Sequence, residues 1–138
     1  MKLVLDTNIL IAALIKDSIT REILLHPEME YLVPEFLLQE IAKHEDTILH
    51  KSGLPPERFQ LLLQQLTLNL TVIPASEVTH REEATRIMDK IDPEDTAFIA
   101  LSTRNDGIWS EDKHFEKQHA IKIWKTKYLI KHLGIKHT

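Results

Sequence analysis

The sequence predicts a three-layer α/β/α fold built on a five-stranded parallel sheet. Short apolar runs alternate along the chain with longer segments of helical spacing, which is the pattern of a parallel α/β sheet with right-handed crossovers. The first run, at residues 2–5, is continuously apolar from Leu3 and ends abruptly at Asp6. A run of this kind is typical of a strand buried on both faces. With 138 residues and no linker or repeat, we expect a single domain over residues 1–138.

The predicted elements follow from apolar spacing and from residues that begin or end helices. Strands are predicted at 2–5, 31–33, 70–73, 108–110 and 121–124. Helices are predicted at 7–15, 18–25, 34–51, 55–66, 79–90, from 92 to before 105, shortly after 112, and at 126–133. Pro34 suits a first helical turn, Gly53 suits a helix end, and Thr79 with Glu82 forms a capping-box pattern.

The predicted helical hairpin of residues 34–66 carries an apolar stripe of Leu61, Leu62 and Leu66. We interpret this stripe first as core and second as a dimer contact.

Composition excludes several classes of protein. The chain has no cysteine, so disulfides and thiolate metal sites are absent. The longest apolar run, Ile9 to Ile15, is too short to span a bilayer. A strand begins almost at the N-terminus, so we expect no signal peptide and a cytoplasmic protein.

Charge is distributed unevenly along the chain. Residues 113–138 contain seven lysines and one acid, a net charge of +6, whereas the remainder has 10 basic and 20 acidic residues. A basic segment of this kind is either a solvated surface or a contact for a polyanion such as RNA.

Three acids are predicted to lie at one rim of the sheet. Asp6 ends the first strand, Asp112 follows the fourth, and Asp95 begins an apolar helix. Ligands of open α/β sheets bind outside the carboxyl ends of the strands. Each acid also has a purely structural explanation, because acids cap helices and interact favourably with the dipole of a first turn.

A fourth acid, Glu40, is predicted on an apolar helix face with Phe36, Leu37 and Ile41. An unpaired carboxylate on such a face is costly to bury. The alternative is a half-exposed acid with Lys43 or His44 as its local partner.

Clustered carboxylates repel one another, and a hard divalent cation relieves that repulsion. Mg²⁺ or Mn²⁺ suits oxygen ligands, whereas the histidines lack the spacing of a zinc site. These acids therefore predict a Mg²⁺ or Mn²⁺ pocket.

Four segments in this order resemble the acidic motifs of PIN domains. They are Leu3-Val4-Leu5-Asp6-Thr7-Asn8, the helix around Glu40, Asp95-Thr96-Ala97-Phe98-Ile99-Ala100-Leu101, and Ile108-Trp109-Ser110-Glu111-Asp112-Lys113-His114-Phe115. The resemblance covers nearly the whole chain. It implies a Mg²⁺/Mn²⁺-dependent ribonuclease, frequent homodimers, and the toxin role of toxin–antitoxin pairs with an antitoxin protein as partner.

Carried over by position, the resemblance implies the catalytic residues Asp6, Glu40, Asp95 and Asp112. Of these, Asp6, Asp95 and Asp112 would be the metal ligands. Pocket-shaping positions are Asn8, Ser110 (where Thr is commoner) and Asp92, with Glu111 as a further acid beside the motif. The candidate RNA contacts in the basic segment are Lys113, Lys117, Lys125 and Lys127. The form of the motifs around Asp92 and Trp109 indicates a branch outside the best-known toxins.

Other functions fit less well. A response-regulator receiver needs an acidic pair after its first strand, but here Asp6 itself ends that strand. A haloacid-dehalogenase-type phosphatase needs Asp-x-Asp, and position 8 is Asn. A catalytically silent PIN module that binds RNA or protein, or a plain interaction module, stays open as an alternative.

Overall fold

A computed structural model describes residues 1–16, 18–74, 98 and 105–136. Its sheet has five strands: β1 Lys2–Leu5, β2 Glu30–Pro34, β3 Leu70–Ile73, β4 Ile108–Trp109 and β5 Ile123–Trp124. They lie in the order β3-β2-β1-β4-β5, and every neighbouring pair is parallel. The predicted five-stranded parallel sheet of an α/β/α fold is therefore confirmed.

The described helices match most of the predicted ones. They are α1 Thr7–Ile15, α2 Ser18–Leu24, α3 Glu35–Lys43, α4 Glu45–Ser52, α5 Pro56–Thr67 and α6 Thr126–Leu133, with a 3-10 turn at Phe115–Lys117. The helices predicted at 79–90 and from 92 to before 105 lie outside the described residues, apart from Phe98, which is helical. No helix in the described part of the chain is long and apolar enough to cross a membrane.

The single helix predicted over 34–51 is wrong, because the chain breaks at His44 into α3 and α4. His44 has φ −109° and ψ 16°, outside the helical range. Glu45 and Asp46 then occupy the first turn of α4, where negative charge interacts favourably with the helix dipole. Gly53 ends α4 in the left-handed conformation, with φ 68°, as predicted.

The core lies on both faces of β1. Leu3, Val4 and Leu5 are fully buried, which explains why the strand is continuously apolar. On one face the rings of Tyr31 and Trp109 lie 5.8 Å apart, which ties β2 to β4 across β1.

The apolar stripe of α5 is divided between core and surface. Leu66 is fully buried, but Leu61 is 61% exposed. Leu62 and Leu66 are four residues apart and share a face, whereas Leu61 is five residues from Leu66 and is turned away from it. The interpretation of all three leucines as core is therefore wrong for Leu61.

Gly107 permits β4 to approach β5 closely. Its φ is 124°, and a Cβ at this position would lie 2.3 Å from the carbonyl oxygen of Lys122. That same carbonyl accepts a hydrogen bond from the amide of Ile108 at 3.0 Å. Only glycine meets both demands, and the pairing sets the position of the residues that follow β4.

Candidate active site

Asp6 and Ser110 leave adjacent parallel strands at the same rim of the sheet. The amide of Asp6 donates to the carbonyl of Trp109 at 3.2 Å, and the amide of Ser110 donates to the carbonyl of Trp124 at 3.1 Å. Both residues are therefore held by the backbone ladder at the carboxyl ends of β1 and β4. This is the rim where the sequence predicted the site.

The Ser110 hydroxyl connects two of the predicted acids. Its Oγ donates to Oδ2 of Asp6 at 2.7 Å and accepts from the amide of Asp112 at 2.9 Å. Ser110 is fully buried, and Asp6 is 5% exposed. A buried hydrogen bond to a carboxylate fixes the orientation of that carboxylate strongly, so Ser110 holds Asp6 in place.

Asp112 is positioned by a local turn. Its Oδ1 accepts a hydrogen bond from the amide of His114 at 2.8 Å, and the Nδ1 of His114 lies 3.6 Å away. Aspartate commonly hydrogen-bonds the backbone two residues on in such turns. The side chain stays 28% exposed, so a face of the carboxylate reaches solvent.

Glu40 lies at the edge of the site rather than in the core. Leu37 and Ile41 are buried, but the Glu40 side chain is 47% exposed, with its Oε2 3.8 Å from Nε2 of His44. Of the two interpretations of Glu40 from the sequence, burial on the apolar face is wrong, and the half-exposed acid with His44 as its local partner is confirmed. The reason is angular, since Glu40 stands about 100° around the helix from Ile41 and thus on the border of the apolar stripe.

A cavity of about 690 Å³ joins the three described acids. Asp6, Glu40 and Asp112 line it, together with Asn8 and His44.

Aromatic rings close one side of this cavity. Phe36 and Phe98 also line it. Their rings meet edge to face at 5.3 Å, and Phe98 meets Phe115 at 6.2 Å. An apolar wall beside carboxylates strengthens electrostatic interactions in the cavity, because it lowers the local dielectric constant.

The electrostatics of Asp6 favour a cation. Burial raises the pKa of Asp6 above its ordinary value, the hydrogen bond from Ser110 opposes that rise, and the charge of Asp112 adds to it. Within the described residues no cationic side chain forms an ion pair with Asp6. A positive ion in the cavity would offset both the burial and the repulsion.

The described residues do not form a complete metal site. Among them, no group of three or more histidines, aspartates or glutamates is placed to hold a metal ion. Asp92 and Asp95, two of the predicted site residues, lie outside the described residues.

Glu111 is not among the described residues that line the cavity. Its Oε1 accepts a hydrogen bond from the amide of Thr126 at 2.7 Å, at the start of α6. Glu111 thus stabilises a helix N-terminus, where acids are favourable.

The predicted lysine contacts differ in their surroundings. Lys113 and Lys117 are exposed. Lys125 pairs with Glu116 at 2.6 Å, and Lys127 lies 5.1 Å from the ring centroid of Tyr128. Lys125 is therefore engaged within the protein, whereas Lys113 and Lys117 face solvent.

Sequence reasoning did not place His44 or Phe98 in the cavity. His44 follows Glu40 by four residues, a spacing that brings side chains together on a helix. That spacing predicted the pairing with Glu40 but not the cavity, which depends on how α3 packs beside α1 and β2.

The family model of the PIN domain matches residues 4–134, nearly the whole chain. A search of curated proteins finds no match. PIN domains are typically nucleases and generally use divalent metals. Together with the parallel sheet and the acids at its rim, this match shows that the chain belongs to the PIN-domain family.

Proposed function

We propose that this protein is a Mg²⁺- or Mn²⁺-dependent ribonuclease that hydrolyses RNA phosphodiester bonds. The observation that carries the proposal is that Asp6, Glu40 and Asp112 line one cavity, with Ser110 hydrogen-bonded to the Asp6 carboxylate and to the backbone amide of Asp112.

The donor chemistry fits a hard divalent cation. Asp6, Asp95 and Asp112 would hold the metal through carboxylate oxygens, which Mg²⁺ and Mn²⁺ prefer. The role of Asp95 is inferred from the sequence motif alone. Phe98, three residues further along the chain, lines the cavity. A bound metal supplies a water of lowered pKa and offsets negative charge on the reacting phosphate.

The protein's own side chains orient the reaction. Ser110 fixes the Asp6 carboxylate, and the amide of His114 fixes that of Asp112. Glu40 lines the cavity with its side chain half-exposed beside His44, where its carboxylate would orient the attacking water. In the proposed reaction, water adds to phosphorus, the bond from phosphorus to the 3′-oxygen breaks and that oxygen takes up a proton, which leaves 3′-hydroxyl and 5′-phosphate ends.

A cleavage assay tests the proposal. Mixed RNAs are incubated with Mn²⁺ or with EDTA, and the parent is compared with Asp6→Asn. Asp46→Asn is the matched control, because Asp46 is an exposed acid on α4 away from the cavity lining. We expect cleavage only with metal, loss of cleavage in Asp6→Asn, and parental activity in Asp46→Asn.

Cleavage by Asp6→Asn at the parental rate would refute the role of Asp6. RNA binding without metal-dependent cleavage would instead favour the silent PIN module. The toxin role, an antitoxin partner and a homodimer remain predictions. Growth arrest on expression tests the toxin role, and sedimentation velocity tests the homodimer.

A further inference from the structure

A second concave surface, of about 580 Å³, lies between β5 and α6. It is lined by Lys122, Trp124, Tyr128, Lys131 and His132, together with Ile123. We call this surface the edge groove, because β5 is an edge strand of the described sheet. Within the described part of the chain, it shares no lining residue with the cavity that contains Asp6.

Trp124 forms a fixed wall of the edge groove. Its Nε1 donates to the carbonyl of Asp106 at 3.1 Å. The ring of His132 meets it edge to face at 5.3 Å, and Nζ of Lys122 lies 4.1 Å from its centroid. These three contacts hold the indole in a defined orientation beside two basic side chains.

Tyr128 is the accessible ring of the groove. It is 50% exposed, and Nζ of Lys127 lies 5.1 Å from its centroid. An exposed cation–π contact of this kind contributes about 0.5–1 kcal/mol. A nucleic-acid base stacked on an aromatic side chain contributes about 1–3 kcal/mol. Stacking on a base is therefore at least as strong a contact as the one this ring makes with Lys127.

Charge in and around the groove favours a polyanion. Among the described residues, its lining contains Lys122, Lys131 and His132 and no acid. The acids near it in the chain are engaged elsewhere. Glu116 pairs with Lys125, and the carboxylate of Asp106 accepts a hydrogen bond from the amide of Lys2 at 2.8 Å.

We propose that the edge groove binds single-stranded RNA outside the catalytic cavity. Tyr128 stacks on an unpaired base, while Lys122 and Lys131 contact the flanking phosphates. A duplex does not satisfy this site, because both faces of each base are already covered by neighbouring bases. That the ligand is RNA rests on the proposed ribonuclease function. The exposed Tyr128 ring and the lysines beside it are observed in the groove itself.

Fluorescence anisotropy tests this proposal with the full chain. The probe is a fluorescein-labelled 12-nucleotide oligouridine, and EDTA in the buffer prevents metal-dependent cleavage. Tyr128→Ser should raise Kd at least about fivefold, since one stacked base contributes about 1 kcal/mol or more. Lys122→Gln combined with Lys131→Gln should reduce the slope of log K against log[salt] by about 1.4, because each phosphate contact contributes about 0.7.

Two exposed residues on other helices provide matched controls. Leu61→Ser on α5 removes an exposed apolar side chain, and Lys51→Gln on α4 removes an exposed charge. Both should bind the probe as the parent does. Circular dichroism and thermal unfolding of every variant establish that the fold is retained.

Parental affinity in Tyr128→Ser would overturn the proposal, as would equal affinity for a duplex of the same length. A change in self-association with unchanged RNA binding would assign the groove to a second copy of the chain and would also overturn it. Binding in EDTA is separate from cleavage. If the groove variants weaken RNA binding but the parent does not cleave RNA, only the ribonuclease proposal is refuted. If the parent cleaves RNA but the groove variants bind the probe as the parent does, only the groove proposal is refuted.

Discussion

Removal of the Ser110 hydroxyl should destabilise the protein in a pH-dependent manner. In Ser110→Ala, Oδ2 of Asp6 loses its 2.7 Å hydrogen bond and the amide of Asp112 loses its acceptor. Ser110 is fully buried, and Asp6 is 5% exposed. The backbone amides of Thr7 and Asn8 still donate to the carboxylate, but water poorly replaces the lost Ser110 donor, and solvation does not offset its loss.

The size of the effect depends on the charge of Asp6. A hydrogen bond to a charged group contributes about 1.5–3 kcal/mol, whereas a neutral one contributes about 0.5–1.5 kcal/mol. We expect a loss of about 2 kcal/mol at pH 7.5 and about 1 kcal/mol once Asp6 is protonated. At roughly 3 °C per kcal/mol for a chain of this size, Tm should fall by about 6 °C at pH 7.5.

The sign follows from linkage. Burial already raises the pKa of Asp6 above 3.8, and the Ser110 hydrogen bond limits that rise. Removing the bond raises the pKa further. The stability of the variant relative to the parent therefore decreases as pH rises through the titration of Asp6, above pH 3.8.

The assay is urea unfolding in EDTA at several pH values between 4 and 8. Ser110→Thr is the matched control, because it keeps the hydroxyl and adds only a methyl group. Any packing cost of that methyl should be independent of pH. A Ser110→Ala loss below about 0.5 kcal/mol, or a loss that does not grow with pH, would refute the reasoning that Ser110 stabilises an ionised Asp6.

Three further substitutions test other features. Asp6→Asn should make the metal-free protein more stable at pH 8 than the parent, because burial and the charge of Asp112 disfavour the ionised carboxylate; a lower urea midpoint for Asp6→Asn in EDTA would contradict this. Glu40→Gln should change the free energy of unfolding by less than about 0.5 kcal/mol but slow cleavage about 100-fold. Glu35→Gln, at an exposed position on the same helix, is the control. Equal cleavage rates for the two variants would show that Glu40 takes no part in the reaction. Gly107→Ala should cost at least about 2 kcal/mol, since a Cβ there lies 2.3 Å from the Lys122 carbonyl oxygen. Gly53→Ala is its control, with positive φ but nothing within 4 Å of the added Cβ, and thermal unfolding that shows equal losses would refute the steric argument.

The sheet was predictable because its signal is local. Leu3, Val4 and Leu5 form a continuous apolar run, and the structure buries all three fully. Helix ends were predictable where one residue type determines the backbone, as at Gly53 with its φ of 68°. The break at His44 was not, because no glycine or proline marks it and the residues on both sides have helical spacing.

The positions of two candidate site residues relative to the strands were predictable. Asp6 follows β1 and Asp112 follows β4 as predicted, and both line one cavity. The sequence left two positions open for Glu40, and the structure shows the half-exposed one beside His44; the choice depends on how far α3 is rotated against the sheet. Glu111 and Asp112 are adjacent in sequence, but their hydrogen-bond partners differ. Glu111 accepts from the amide of Thr126 at the start of α6, whereas Asp112 accepts from the amide of His114 and lines the cavity.

The sequence by itself determined the class of the sheet, the order of the acidic motifs and the uneven distribution of charge, because each of these is written in local patterns of residue type. The tertiary structure decided which groups meet. The hydroxyl of Ser110 joins an acid 104 residues away in the chain, and Trp124, Tyr128 and His132 line one groove because the fold brings α6 beside β5, where the rings of His132 and Trp124 meet. Such contacts depend on strand register and helix rotation, which arise from packing across the whole fold and leave no local pattern in the sequence.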